Sequence, residues 1–178
     1  MALRHPRSRR PDPVDGLSRQ ASAVPIAGER LQAYLLPGQL HVSGRPCQIR
    51  TILGSCVAIC LWDSRQGMGG MNHFLLPGSS EGRPASTRFA DVATRTLLEK
   101  LHALGCRLPH LQAKIFGGSS MFQRQDRHAI SLGTKNIAAA LDLMRDAGIP
   151  VMVQETGGTR GRKIMFNTDD GIVWCQRI

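Results

Sequence analysis

Six consecutive residues, Val57-Ala-Ile-Cys-Leu-Trp62, are apolar at both odd and even positions, with Gly54 shortly before them and Asp63 directly after. In an extended chain alternate side chains point to opposite faces, so a strand of this composition has to be buried on both sides. Asp63, Ser64, Arg65 and Gln66 then form a polar turn, and Gly67 to Leu76 returns as a second strand that Pro77 stops. The segment is predicted to be a hairpin with cover on each face.

The rest of the chain supplies that cover. Phe89, Ala93, Leu97, Leu101 and Leu104 recur at spacings of four and three, which predicts a helix over residues 87–104 with Gly105 as its C-terminal cap. A second helix is predicted from Thr134, with Ile137, Leu141 and Met144 as its stripe and Gly148 and Pro150 ending it. Short strands are expected at 31–36, 40–42, 113–116, 151–154 and 163–167. A turn at 168–171 leads into a last strand at 172–176, with Asp170 and Gly171 at its φ > 0 positions. Many mostly antiparallel strands with two covering helices make a single layered α+β domain.

The 178 residues fit one domain of ordinary size. Residues 1–27 carry five arginines against two aspartates among prolines and serines, and are expected to be a disordered basic leader; the folded domain is expected to span 28–178. That leader holds part of the net charge of +10. The remainder is thinly spread apart from Arg160, Arg162 and Lys163, which have no interleaved aromatics to stack on bases, so nucleic acid is not the expected partner. That basic run reads as a solvated hairpin edge, or as a surface that faces acidic helices. Five cysteines without a regular framework, and no apolar leader segment or membrane-length run, point to the reducing cytoplasm without direct membrane insertion.

Chemistry enters through the hairpin. If 63–66 is a four-residue loop, facing positions sum to 129, and Cys56 faces His73 at a Cα separation of about 4.5–5.5 Å. A free cysteine, with a pKa of about 8.5, is mostly thiol at neutral pH and needs an adjacent base to act as a nucleophile. His73 is the available base. Buried Cys and lone His are also common as inert core residues, so the pairing alone leaves both readings open.

The surrounding residues narrow the choice. Thr51-Ile-Leu-Gly-Ser-Cys56-Val-Ala-Ile-Cys-Leu-Trp-Asp63 and Gly69-Gly-Met-Asn-His73-Phe-Leu-Leu-Pro77 closely resemble the CheD family of chemoreceptor glutamine deamidases. The resemblance continues through Arg88-Phe-Ala-Asp91, Lys114-Ile-Phe-Gly-Gly-Ser-Ser-Met-Phe122 and Gly157-Gly-Thr-Arg-Gly-Arg-Lys163. It implies a three-layer α-β-β sandwich, Cys56 as nucleophile and His73, seventeen positions later, as its partner. The implied activity is hydrolysis of receptor glutamine amides, and possible glutamyl methyl esters, through a thioester with no cofactor. Methyl-accepting chemotaxis receptor helices are the implied substrate and a CheC-type phosphatase the implied partner.

The sequence departs from the family pattern at one place. The family's third catalytic position, a threonine six residues before the cysteine, is occupied by Arg50, with Thr51 one residue closer. Either Thr51 orients the histidine or another group does, and neighbouring strand residues face opposite ways. The departure keeps open a non-catalytic adaptor that binds receptor or phosphatase. Backbone N–H groups around Gly54 and Ser55 are candidate oxyanion donors. The pairs Gly117-Gly118 and Gly157-Gly158 read as turns with φ > 0, or as places where a substrate helix approaches closely. Zinc on Cys56, Cys60 and His73 is disfavoured, because a strand holds the two sulfurs about 13 Å apart. Asp63 and Asp91 read as a turn former and a helix-surface or capping residue.

Overall fold

The computed structural model describes residues 30–78, 84–120 and 130–178. In chain order these form β1 (Leu31–Tyr34), β2 (Leu40–Ser43), β3 (Cys47–Leu53), β4 (Val57–Asp63), β5 (Met68–Asn72), α1 (Ala90–Ala103), β6 (Leu111–Gly117), α2 (Leu132–Asp146), β7 (Val151–Thr156), β8 (Arg162–Asn167) and β9 (Val173–Arg177). The expected leader lies outside the described residues.

The strands divide between a five-stranded sheet, β2-β5-β4-β6-β7, and a four-stranded sheet, β1-β3-β8-β9. Two pairings are parallel, β1 with β3 and β6 with β7; the other five are antiparallel. β4 lies at the centre of the larger sheet, and its double apolarity is satisfied by two separate cores. Val57, Ile59 and Leu61 pack with Ala93, Leu97, Ala140 and Met144 of the helices. Ala58 and Cys60 pack with Ile49, Ile164 and Phe166 of the smaller sheet. The layers run helices, sheet, sheet, as the resemblance implied, and the architecture is α+β.

Close approach at β5 explains its glycines. A Cβ on Gly70 would stand 2.6 Å from Val42 Cγ1 and 2.9 Å from Leu97 Cδ1, so a side chain there would push β2 and α1 off the sheet. The helices match their expected extents apart from later or earlier starts. α1 begins at Ala90, and Gly105 adopts φ 97° directly beyond its C-cap, Leu104. α2 begins at Leu132 because Ser131 caps it, accepting from the Thr134 N–H.

Three expectations are corrected. The hairpin turn occupies Ser64–Gly67, with Gly67 at φ 60°, so Asp63 pairs with Met68 and the facing positions sum to 131, not 129. Asp170 does not take a positive φ; it turns the chain with its carboxylate, accepting from the Ile172 N–H at 2.9 Å, while Gly171 takes φ 71°. Residues 47–53, which carried no strand expectation, form β3 at the heart of the smaller sheet.

Candidate functional site

β5 ends at Asn72 because a side chain there takes over the role of the main chain. Asn72 Oδ1 accepts the Ile59 N–H at 2.9 Å, which interrupts the ladder with β4. His73 is thereby released to other partners: its N–H donates to the Gln39 carbonyl and its carbonyl accepts from the Gly38 N–H. Pairing with β4 resumes one residue later, where Val57 and Phe74 exchange both backbone bonds. The side chain of His73 is thus directed between the sheets, 1% exposed.

There it meets β3. Thr51, 0% exposed, faces inward with Cys47, Ile49 and Leu53, while Arg50 faces solvent. Thr51 Oγ1 stands 2.8 Å from His73 Nδ1 and 2.8 Å from the Leu35 carbonyl oxygen. The carbonyl can only accept, so the single hydroxyl hydrogen goes to Leu35, and toward the imidazole the hydroxyl is an acceptor. Nδ1 therefore carries the ring hydrogen and Nε2 carries the lone pair. Nε2 is buried and has no hydrogen-bond partner among the described residues.

Burial, partly offset by the Leu35 carbonyl, lowers the His73 pKa from 6.5 to about 4, so the ring is neutral at pH 7. This carries a stability consequence. The unfolded chain takes up a proton at His73 near pH 6.5 and the folded chain only near 4, so the contribution is complete above 6.5 and is lost as pH falls toward 4. The loss should reach about 3 kcal/mol, and urea midpoints of His73→Gln should lack that part of the acid slope. An unchanged slope in the variant would contradict the burial argument.

Cys56 lies in the turn between β3 and β4, half-buried. With the observed pairing it faces Leu75, and Ala58 faces position 73. A displacement of two residues preserves side-chain parity, so Cys56 and His73 still share the face toward the smaller sheet. Cys56 packs against the core between the sheets, the side on which Thr51 also holds the His73 ring. Burial raises the Cys56 pKa, while its own N–H favours the thiolate. The resting pair is therefore a neutral thiol and a neutral imidazole with a free Nε2 lone pair, suited to proton removal during attack.

The Cys56 turn is held from β6. Gly118 N–H donates to the Cys56 carbonyl at 2.8 Å and Ser119 N–H to the Gly54 carbonyl at 2.9 Å. A Cβ on Gly117, which has φ 104°, would lie 2.3 Å from the Cys56 oxygen. Both glycine pairs have positive φ throughout, as the turn reading expected. The Arg160–Lys163 run is not one outward patch: Arg162 is buried and donates to the Gly157 carbonyl at 2.8 Å. Asp63 is a turn former, accepting from the Arg65 and Gln66 N–H groups, and Asp91 lies in the first turn of α1.

Among the described residues no three His, Cys, Asp or Glu side chains are grouped to hold a metal, and no helix is long and apolar enough to cross a membrane. Sequence reasoning missed Asn136, a polar residue on the buried side of α2 that contacts the Cys56 turn.

Comparison with known proteins gives one consistent result. The family model described as CheD chemotactic sensory transduction matches residues 75–177. The probable chemoreceptor glutamine deamidase CheD 1 of Anaeromyxobacter dehalogenans is 44% identical over 164 residues, covering 92% of this chain and 95% of its own. The probable chemoreceptor glutamine deamidase CheD of Trichlorobacter lovleyi is 43% identical, covering 81% and 89%, and that of Methanococcus vannielii 42%, covering 79% and 91%.

Proposed function

The chain belongs to the CheD family, and from that premise we propose that it is a protein-glutamine deamidase acting on cytoplasmic helices of methyl-accepting chemotaxis receptors, with Cys56, His73 and Thr51 as its site. The observation that carries the assignment of roles is the Thr51–His73 hydrogen bond, which leaves Nε2 unprotonated on the face that Cys56 shares. His73 removes the Cys56 proton as sulfur attacks the side-chain amide carbon, and the imidazolium passes that proton to the departing ammonia. A thioester results. Water, deprotonated by the same nitrogen, then attacks the thioester carbon; the carboxylate forms, and His73 returns the proton to the sulfur.

Glutamyl methyl esters can follow the same path, with methanol in place of ammonia. The proposed setting is the cytoplasm, and a CheC-type phosphatase is proposed as a further partner. The adaptor reading rested on Arg50 standing at the threonine position. With the Thr51 hydroxyl on the imidazole, that ground is reduced to a shift of one residue in the sequence.

The test is incubation with cytoplasmic receptor fragments, followed by peptide mass spectrometry and an ammonia assay. Particular glutamines should become glutamate with one ammonia released for each. Fragments that bind yet keep every glutamine would favour the adaptor instead.

A further inference from the structure

Three successive carbonyls lead through the nucleophile's turn, and each is held by a different donor. The Gly54 oxygen accepts from Ser119 N–H and the Cys56 oxygen from Gly118 N–H. Between them, the Ser55 oxygen accepts from Asn136 Nδ2 of α2 at 2.9 Å. The second hydrogen of the same amide nitrogen goes to the Leu75 carbonyl at 2.8 Å, two residues beyond His73. One side-chain nitrogen therefore joins the segment carrying the cysteine to the segment carrying the histidine.

Asn136 is 0% exposed, and its Oδ1 is buried without a partner among the described residues. Asparagine is a poor helix former, and an unpartnered buried oxygen is costly, so helix stability alone favours an apolar residue here. The helix has little freedom to shift. A Cβ on Gly133 would stand 2.3 Å from the Gly118 oxygen, and one on Gly118 would stand 2.4 Å from Ile137 Cγ1.

The Ser55 carbonyl and the Cys56 N–H belong to one trans peptide plane and point in opposite directions. Holding the oxygen toward α2 aims the N–H away from it, and that N–H belongs to the same residue as the sulfur. A negative oxygen that develops on a carbon attacked by this sulfur forms beside that donor. We propose that Asn136 is a positioning residue that orients the Cys56 N–H as an oxyanion donor and fixes the Cys56 segment against the His73 segment. The inference rests on the deamidase reading for its catalytic meaning, but the clamp itself is testable without substrate.

The test uses full-length Asn136→Leu, which keeps the volume without the donors, and Asn136→Asp, which keeps the shape but turns donors into acceptors. Two readouts are taken on whichever variant retains a cooperative melt. The first is kcat and KM on receptor fragments; the second is the pH profile of Cys56 alkylation by iodoacetamide, followed by peptide mapping. The expected result is a kcat about a hundredfold lower with KM within about threefold, and an alkylation inflection moved to higher pH. Wild-type kcat and an unmoved inflection in a folded variant overturn the proposal, and so does failure of both variants to fold, which makes Asn136 a stability element. If the wild type deamidates nothing but the inflection still moves, the clamp stands and the deamidase reading fails.

Discussion

Cys56→Ala is expected to lose deamidation by a factor on the order of 10⁴ or more, because the acyl intermediate has no other atom on which to form. The fold should barely respond. Cys56 is half-buried and its side chain makes only peripheral contact with the inter-sheet core, so the change in stability should stay within about 1 kcal/mol. Cys175→Ala is the matched control, since that thiol is exposed on β9, at the edge of the smaller sheet. Turnover, binding of the receptor fragment and thermal melting should be measured on all three proteins. Binding and melting kept with turnover gone from Cys56→Ala alone identify the nucleophile. Turnover retained by Cys56→Ala would remove the thioester from the reaction.

What could be read beforehand followed from how local each signal is. The β4 strand was legible because its composition requires burial on both sides, and the helices because their stripes and terminal glycines are set within one segment. β3 was not, and its residues say why. Its inward set contains Thr51, while Ile52, 48% exposed, points outward, so the usual contrast of apolar inside and polar outside is inverted at the two positions nearest the site. A strand that carries a polar residue inward weakens the pattern by which strands are found.

The division into two sheets is a long-range property. β1 and β2 are separated by a short turn but belong to different sheets, and β1 instead pairs in parallel with β3. Nothing within residues 31–43 specifies that choice. The register missed by two positions because the whole turn moved along by one residue, Asp63 leaving it for β4 and Gly67 joining it; the shared face survived because strand parity repeats every two residues. Asn136 left a faint trace. It precedes Ala140 and Met144 at intervals of four, so a polar residue sits at the edge of the apolar stripe of α2, but a single sequence cannot separate that from an ordinary helix-surface asparagine.

Thr51, one residue away from the family's threonine position, carries the sharpest expectation about the chemistry. Thr51→Val preserves branching and volume but removes the hydroxyl. The Leu35 carbonyl and the His73 Nδ1–H each lose a buried partner, at an expected cost of about 1–3 kcal/mol in stability. The effect on turnover should be larger. Without an acceptor at Nδ1 the ring can rotate toward the Leu35 oxygen or place its hydrogen on Nε2, and a protonated Nε2 cannot take the proton of Cys56. A fall in kcat of about 10²–10⁴-fold is expected, by analogy with the loss seen when a histidine base is held in the wrong tautomer. Thr51→Ser keeps the hydroxyl and should recover most of the rate, which separates orientation of the base from simple packing. Arg50→Thr provides the complementary comparison. Arg50 faces solvent, with its guanidinium on Gln48, so a threonine there points away from His73 and cannot substitute for Thr51. The double variant Arg50→Thr/Thr51→Val, with the hydroxyl returned to the position six residues before the cysteine, should therefore stay as slow as Thr51→Val alone. Recovery of activity in that double variant would mean that the strand can shift by one residue, and that the inward face of β3 is not fixed by its core.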